Sequence, residues 1–459
     1  MRGLATIRIL LACISLVFLG VCLSPALASQ RGGLGTQTES PLPEDVHADS
    51  RNRLSGDDAD ASDGLSGAAA IRRSGSGANA RWDSPLGRPL MELAILTTAR
   101  EHDQPYEWSL HEMEAVAVGL DPDVIDVVRN RRPVAGLDDG EAIVVQAGRE
   151  IFGEHHLSSE TYHRAVTRFG ESNLVDVVDL MARYAGTAAR LTAFNQHMPP
   201  GWPQFLPLPF TPPDDVDSIS RSRLLPLSAP PERRVTTPSL YGRTLSPEGT
   251  GPGHIRRHGA GRESLEARVP RSLLSLAILV TARSYNVQYD WTLTELAAAN
   301  DGLDPAIIDI VRDGGSVAGL ADREAAVITF GRELFDLHTV SAGTYANALR
   351  LFGATNLVDL VDLMAQHAAD ATLLIAFDQH LPFGQRPGHG QDAGLGHRAG
   401  HHEGRPRPGV GGDDVEDGAA LAALDHVLAH RQGAVEGAIE HDLHHRVEGV
   451  GAPVLGARQ

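Results

Sequence analysis

The chain has only two cysteines in 459 residues, Cys13 and Cys22, and both fall in an N-terminal stretch that reads as a processing signal. A mature chain without that stretch has no thiol, which excludes disulfides, thiolate nucleophiles and cysteine-ligated metals together. Aromatic residues are scarce at 5%; Ala, Leu, Val and Asp are plentiful instead, a composition that suits helices packed through small side chains. Basic residues are outnumbered, 40 Lys plus Arg against 59 Asp plus Glu, for a net charge of −19. This argues against nucleic acid or an anionic membrane surface as a partner. After the N-terminus no apolar run is long enough to span a bilayer, and no alternating apolar pattern reads as a strand.

The N-terminal stretch combines Arg2 and Arg8, an apolar core from Ile9 to Leu23, and the small-x-small sequence Ala26-Leu27-Ala28. It predicts a signal peptide over residues 1–28, export to the periplasm or medium of a bacterium, and cleavage near Ala28. Once cleaved, the chain has no membrane association. A lipoprotein reading through Cys22 is less favoured, because Val21 is bulkier than that signal prefers.

What the chain does contain is itself, twice. Residues from about 93 to 200 recur without a gap 183 positions later, with roughly half the positions identical. Tyr106-Glu107-Trp108-Ser109-Leu110-His111-Glu112 returns as Tyr289-Asp290-Trp291-Thr292-Leu293-Thr294-Glu295. Upstream, Pro43-Glu44-Asp45-Val46 and Ser50-Arg51-Asn52-Arg53-Leu54 return as Pro213-Asp214-Asp215-Val216 and Ser220-Arg221-Ser222-Arg223-Leu224. The organisation read from this is copy one over 29–206, copy two over 207–386 and a tail over 387–459. The upstream arms lack helical periodicity, so extended or mobile segments are expected there.

Within each copy the apolar spacing is helical throughout, and an all-α fold of about six helices per copy is expected. Trp108 to Met113 reads as a helix start, with Ser109 as cap and Glu112 closing a capping box. Asp121-Pro122 and Asp304-Pro305 read as further starts, Ser158 and Ser341 as caps, and Gly170 and Gly353 as ends. The tail carries nine of the 21 histidines among Gly, Arg and Ala. It reads as a low-complexity extension or as an out-of-frame end; metal binding through His426/His430 or His441/His444/His445 is the less favoured alternative.

The candidate chemistry lies at Glu107 and His111. Four residues apart at an expected helix start, both side chains can face one pocket. The helix dipole there disfavours an imidazolium, leaving a neutral base near pH 7 with a carboxylate to orient it. Such a pair suits proton transfer at a carbon next to a carbonyl; a dipole-stabilising Glu and a half-buried His are the structural reading of the same pattern. Arg100 and Arg149, repeated as Arg283 and Arg332, either bind an anionic substrate or serve helix packing, as do Glu150/Glu333. His155/His338, Tyr162/Tyr345 and His197/His380 read first as packing or helix-end positions. In copy two Asp290 keeps a carboxylate, but Thr294 cannot serve as a base, so a degenerate second site is expected.

Taken in order, Tyr106-Glu107-Trp108-x-x-His111, Gly119-Leu120, Ala135-Gly136-Leu137, Gly148-Arg149-Glu150, Asp176-Val177-Val178-Asp179-Leu180 and Phe194-Asn195-Gln196-His197 resemble the carboxymuconolactone decarboxylase family. The resemblance covers both copies but not the tail. It implies tandem helical domains of the AhpD-like fold, and a lyase that releases CO2 from a lactone acid with no cofactor and no metal. Export departs from the family's cytoplasmic catabolic pathway. Its alkylhydroperoxidase branch uses a Cys-x-x-Cys pair, which this chain lacks. The resemblance also implies a small acidic substrate and a second copy that replaces a partner subunit, as an intramolecular pseudo-dimer open to homo-oligomerisation. A non-catalytic binding or scaffold protein with vestigial sites is the competing reading.

Overall fold

Two helix starts, one in each copy, are set by an aspartate followed by proline. In the computed structural model, which describes residues 42–55, 67–199, 205–206, 215–227 and 250–381, Asp121 and Asp304 each accept a hydrogen bond from the backbone two residues on. Proline follows both at the first helical position, where no N–H is needed. The signal peptide with its cleavage site, both cysteines and the 387–459 tail lie outside the described residues.

The described residues form helices and no strand. Copy one contains α1 (Ala68–Arg73), α2 (Ala80–Asp83), α3 (Arg88–Glu101), α4 (Pro105–Ala117), α5 (Pro122–Arg129), α6 (Asp139–Arg149) with a π-helical turn over Glu150–Glu154, α7 (Ser159–Phe169) and α8 (Glu171–Ala193). Copy two contains α9 (Gly251–Arg256), α10 (Arg262–Arg268), α11 (Arg271–Ser284), α12 (Gln288–Asn300), α13 (Pro305–Asp313), α14 (Asp322–Asp336) and α15 (Ala342–Ala376). Gly353 breaks α15 with a φ of 74°, so α15 matches α7 plus α8. The expected six helices per copy are joined by α1 and α2, and by α9 and α10. Elements this short cannot display a 3.6-residue period, which is why the pattern misses them.

Two further starts are informative. Ser158 and Ser341 cap as expected, accepting from Thr161 and Thr344. The start at Ser109 is not observed: α4 begins four residues earlier, with Gln104 as cap and Pro105 at its first position. Ser109 sits inside the helix and donates to the Pro105 carbonyl at 2.7 Å. Glu112 accepts from the Trp108 indole at 2.6 Å rather than closing a capping box.

The copies exchange their ends. The last turns of α15, with Ala368, Leu373, Leu374 and the following Phe377, belong to the apolar core of copy one. Ala189, Leu191 and Phe194 at the end of α8 belong to that of copy two. Phe194 and Phe377 are fully buried, each contributing about 2–3 kcal/mol of apolar burial. The arms follow the same exchange. In the first arm, Arg53 N–H donates to Phe377 O at 2.9 Å and Arg51 O accepts from His380 N–H at 2.7 Å. In the second, Arg223 N–H donates to Phe194 O and Arg221 O accepts from His197 N–H at the same two distances. The described parts of the arms, 42–55 and 215–227, therefore each seal the other copy's final helix.

Reciprocity extends to single residues. Gly67 and Gly251 adopt φ of 58° and 74°, and a Cβ on either would fall within 2.8 Å of a tyrosine ring or hydroxyl of the other copy, Tyr289 and Tyr106 respectively. Where α3 and α11 end, the two copies meet at one position: His102 Nε2 lies 3.3 Å from the hydroxyl of Tyr285, its own counterpart 183 residues on. His155 and His338, both in the left-handed region, flank this contact.

Candidate functional site

His111 lies in the second turn of α4, so its environment rather than the helix terminus sets its chemistry. Its Nδ1 is 2.8 Å from Glu92 Oε2, on the neighbouring α3. Glu92 is completely enclosed, and its other oxygen accepts from Arg81 Nε at 3.1 Å and from Arg88 at 2.8 Å. Burial alone would raise the Glu92 pKa, but Arg81, His111 and Arg88 together hold it at about 2. His111 is displaced downward, by burial first and by Arg81 and Arg88, against the pull of Glu92. The pair therefore presents a neutral imidazole near pH 7 whose Nδ1–H points at a carboxylate, with Nε2 turned away from it. The expected orienting carboxylate, Glu107, is not hydrogen-bonded to His111.

Glu107 has a different role. It is 2% exposed, and neither carboxyl oxygen has a hydrogen-bond partner. Burial alone pushes its pKa well above the usual carboxylate range, so it stays protonated where Glu92 is ionised. Tyr184 of α8 packs on the imidazole: its ring meets the His111 ring edge-on at 4.8 Å, and burial pushes the pKa of its hydroxyl well up. Arg88 lies over the Trp82 ring at 3.9 Å from its centre, closing one side of the cluster.

Arg100 and Arg149 do not join this site. Arg100 donates to the Arg129 carbonyl at 2.8 Å and pairs with Asp103; Arg149 donates to the Val127 carbonyl at 3.3 Å. Both guanidinium groups satisfy carbonyls at the end of α5, where helices leave acceptors unpaired. Arg283 and Arg332 do the same around α13. In both copies these arginines are engaged by backbone carbonyls. Glu150 and Glu333 likewise accept from the caps of the next helix, Ser158 with Thr161 and Ser341 with Thr344. Tyr162 and Tyr345 donate to the arm carbonyls of Arg53 and Arg223.

Copy two keeps the place but not the residues. Arg81, Glu92, Glu107, His111, Glu114 and Tyr184 correspond to Ser264, Ser275, Asp290, Thr294, Ala297 and His367, every one a shorter side chain. The ion-pair network is gone, yet an imidazole is present. His367 of α15 stands where Tyr184 stands, and its Nδ1 lies 3.3 Å from Asp290 Oδ2. Thr294 makes no hydrogen bond among the described residues.

Glu92, Arg81, Tyr184 and His367 are absent from the sequence-based set of candidates. Glu92 had a signal, since a carboxylate inside the apolar run Met91–Leu96 calls for a buried partner. His367 had one too, as the imidazole that copy two gains where copy one has Tyr184. Among the described residues no cluster of three His, Cys, Asp or Glu side chains is arranged to hold a metal, and no helix is long and apolar enough to cross a membrane. Comparison with family models, with curated proteins and with solved structures finds no match to this chain.

Proposed function

We propose that copy one is a cofactor-free proton-transfer site, and that the chain is an exported carboxymuconolactone decarboxylase-like lyase acting on a lactone or other carboxylic acid. One observation carries the reading: the enclosed Glu92 carboxylate holds His111 Nδ1 at 2.8 Å, while Glu107, four residues before His111 on the same helix, is buried with neither carboxyl oxygen hydrogen-bonded, and burial pushes its pKa up. Pairs of acids driven apart in this way divide the work of acid–base catalysis. Neutral His111, oriented by Glu92, takes a proton from carbon next to a carbonyl. The un-ionised Glu107 carboxyl donates a hydrogen bond to the oxygen that gains charge. Loss of CO2 from a lactone acid passes through the same enolate, with the proton delivered back to carbon. The chain has no lysine, which excludes a Schiff base for this step. On this reading the tandem copies have the AhpD-like fold, and copy two acts as a built-in partner subunit.

The test is a panel of lactone and carboxylic acids, followed by CO2 release and by hydrogen exchange into D2O. His111→Ala is expected to lower turnover about 10²- to 10⁴-fold. A variant that keeps full turnover on every acid the wild type processes removes His111 from the mechanism. A wild type inert across the panel leaves a binding protein as the reading to pursue.

A further inference from the structure

The exchange of Tyr184 for His367 does more than dismantle a copy of the first site. In copy one the base sits on the second helix of the hairpin, α4, and its carboxylate on the first, α3. In copy two the base sits on the long helix, α15, and its carboxylate on the second hairpin helix, α12. The carboxylate–imidazole unit survives, rebuilt from different positions. Its geometry is that of an oriented base: Asp290 meets Nδ1, which fixes the ring and leaves Nε2 as the free nitrogen. The side chain is nearly enclosed, with 8% of its surface open and 12% of that of Asp290, and Nε2 has no hydrogen-bond partner among the described residues. The Thr294 hydroxyl, also unpaired, occupies the position whose copy-one counterpart touches the Tyr184 ring.

We propose that Asp290 and His367 form a second general-base site, independent of His111, for a small neutral carbon acid. Neutrality follows from the charges that remain. The arginine on Glu92 at the position of Ser264 is lost, Arg271 is exposed, and no arginine is hydrogen-bonded to Asp290 among the described residues. A carboxylate substrate would meet Asp290 without a cation to offset it. His367 is the base and Asp290 a positioning residue.

The probe is 5-nitrobenzisoxazole, which needs only a base. The C3 proton passes to Nε2, its electron pair completes a nitrile, the N–O bond breaks, and the oxygen leaves as a phenolate; the proton then returns to water. In a His111→Ala background, His367→Asn retains a donor toward Asp290, and so the fold, but lacks Nε2. It is expected to lower probe turnover at least about tenfold. Asp290→Asn is expected to lower kcat with little change in KM. Labelling with diethylpyrocarbonate, read by peptide mass, is expected to modify His367 in the native protein. Turnover unchanged by His367→Asn, wild-type turnover no faster than free imidazole, or an unlabelled His367 each overturns the proposal. The first site fails separately: if His111→Ala has no effect on the acid panel while His367→Asn still abolishes probe turnover, only the second stands.

Discussion

Copy one and copy two use the same scaffold to surround different chemistry. Helices α3 and α11 each have 14 residues, and α4 and α12 each have 13. The framework contacts recur almost atom for atom: Trp108 to Glu112 to Arg129 returns as Trp291 to Glu295 to Arg312. Nearby, His111 and five polar positions around it have changed, while Arg88 is kept as Arg271. Packing and helix-end contacts constrain each other mutually, whereas a pocket side chain answers only to its ligand and its immediate neighbours. Divergence is therefore concentrated where it leaves the fold intact.

The sharpest way to break that comparison is at the exchanged arms, where the copies are most alike. Arg53 donates to the Leu157 carbonyl at 2.7 Å and pairs with Asp45 at 2.9 Å, with both side chains almost fully enclosed. Arg53→Ala strands a buried carboxylate and is expected to cost about 3–5 kcal/mol in global unfolding by urea. Arg223→Ala is expected to cost less, because Asp215 remains 27% exposed. Equal losses would show that the second arm is as tightly sealed as the first.

Acid probes the contact between the copies. Burial holds His102 at about 3, and burial also lowers His155 and His338. An unfolded chain takes up these protons near pH 6.5, while the folded one refuses them until much lower. For His102 the stability is thus complete above 6.5 and is lost as pH falls toward about 3, by about 1.4 kcal/mol per pH unit, and His155 and His338 act in the same direction. Tm should fall steeply between pH 6.5 and 4, and His102→Phe should flatten that slope.

Smaller effects separate the two sites. Glu107 has a raised pKa, so the stability lost to keeping it protonated grows as pH rises above its unfolded value. Glu107→Gln is expected to raise stability at pH 7 by about 1 kcal/mol and leave it unchanged below pH 4, while lowering turnover. Asp290→Asn should show no such stabilisation. Smallest of all, Arg72 bridges Asp179 at 2.8 Å and Asp370 at 2.7 Å, whereas Asp362, the counterpart of Asp179, pairs with Arg190 at 2.5 Å and not with Arg256. Asp370→Thr leaves Arg72 with Asp179 alone and should cost about 1 kcal/mol by thermal melting.

The sequence conveys the helices and their repeat well, because caps, prolines and apolar spacing are local signals. It conveys the partners of the site poorly. His111 and Glu107 stand out through their four-residue spacing, but the residue that orients His111 is 19 positions away on another helix, and His367 is 77 positions from Asp290. Spacing arguments reach one or two turns, whereas pockets are closed by packing. The same limit hides the exchange of arms: Ser50-Arg51-Asn52-Arg53-Leu54 and its repeat are visible, but not that each lies on the other copy.

The meeting of His102 and Tyr285 has a consequence for how a duplicated chain differs from a dimer of identical subunits. His102 donates through Nδ1 to the Thr98 carbonyl at 2.9 Å, so its Nε2 is an acceptor, and the Tyr285 hydroxyl opposite supplies the donor. Two identical subunits must place the same side chain on both sides of their symmetry axis. Two such histidines would present acceptor to acceptor in the dark of the interface. Writing both halves in one polypeptide lifts that constraint, and it turns a self-opposed contact into a complementary one.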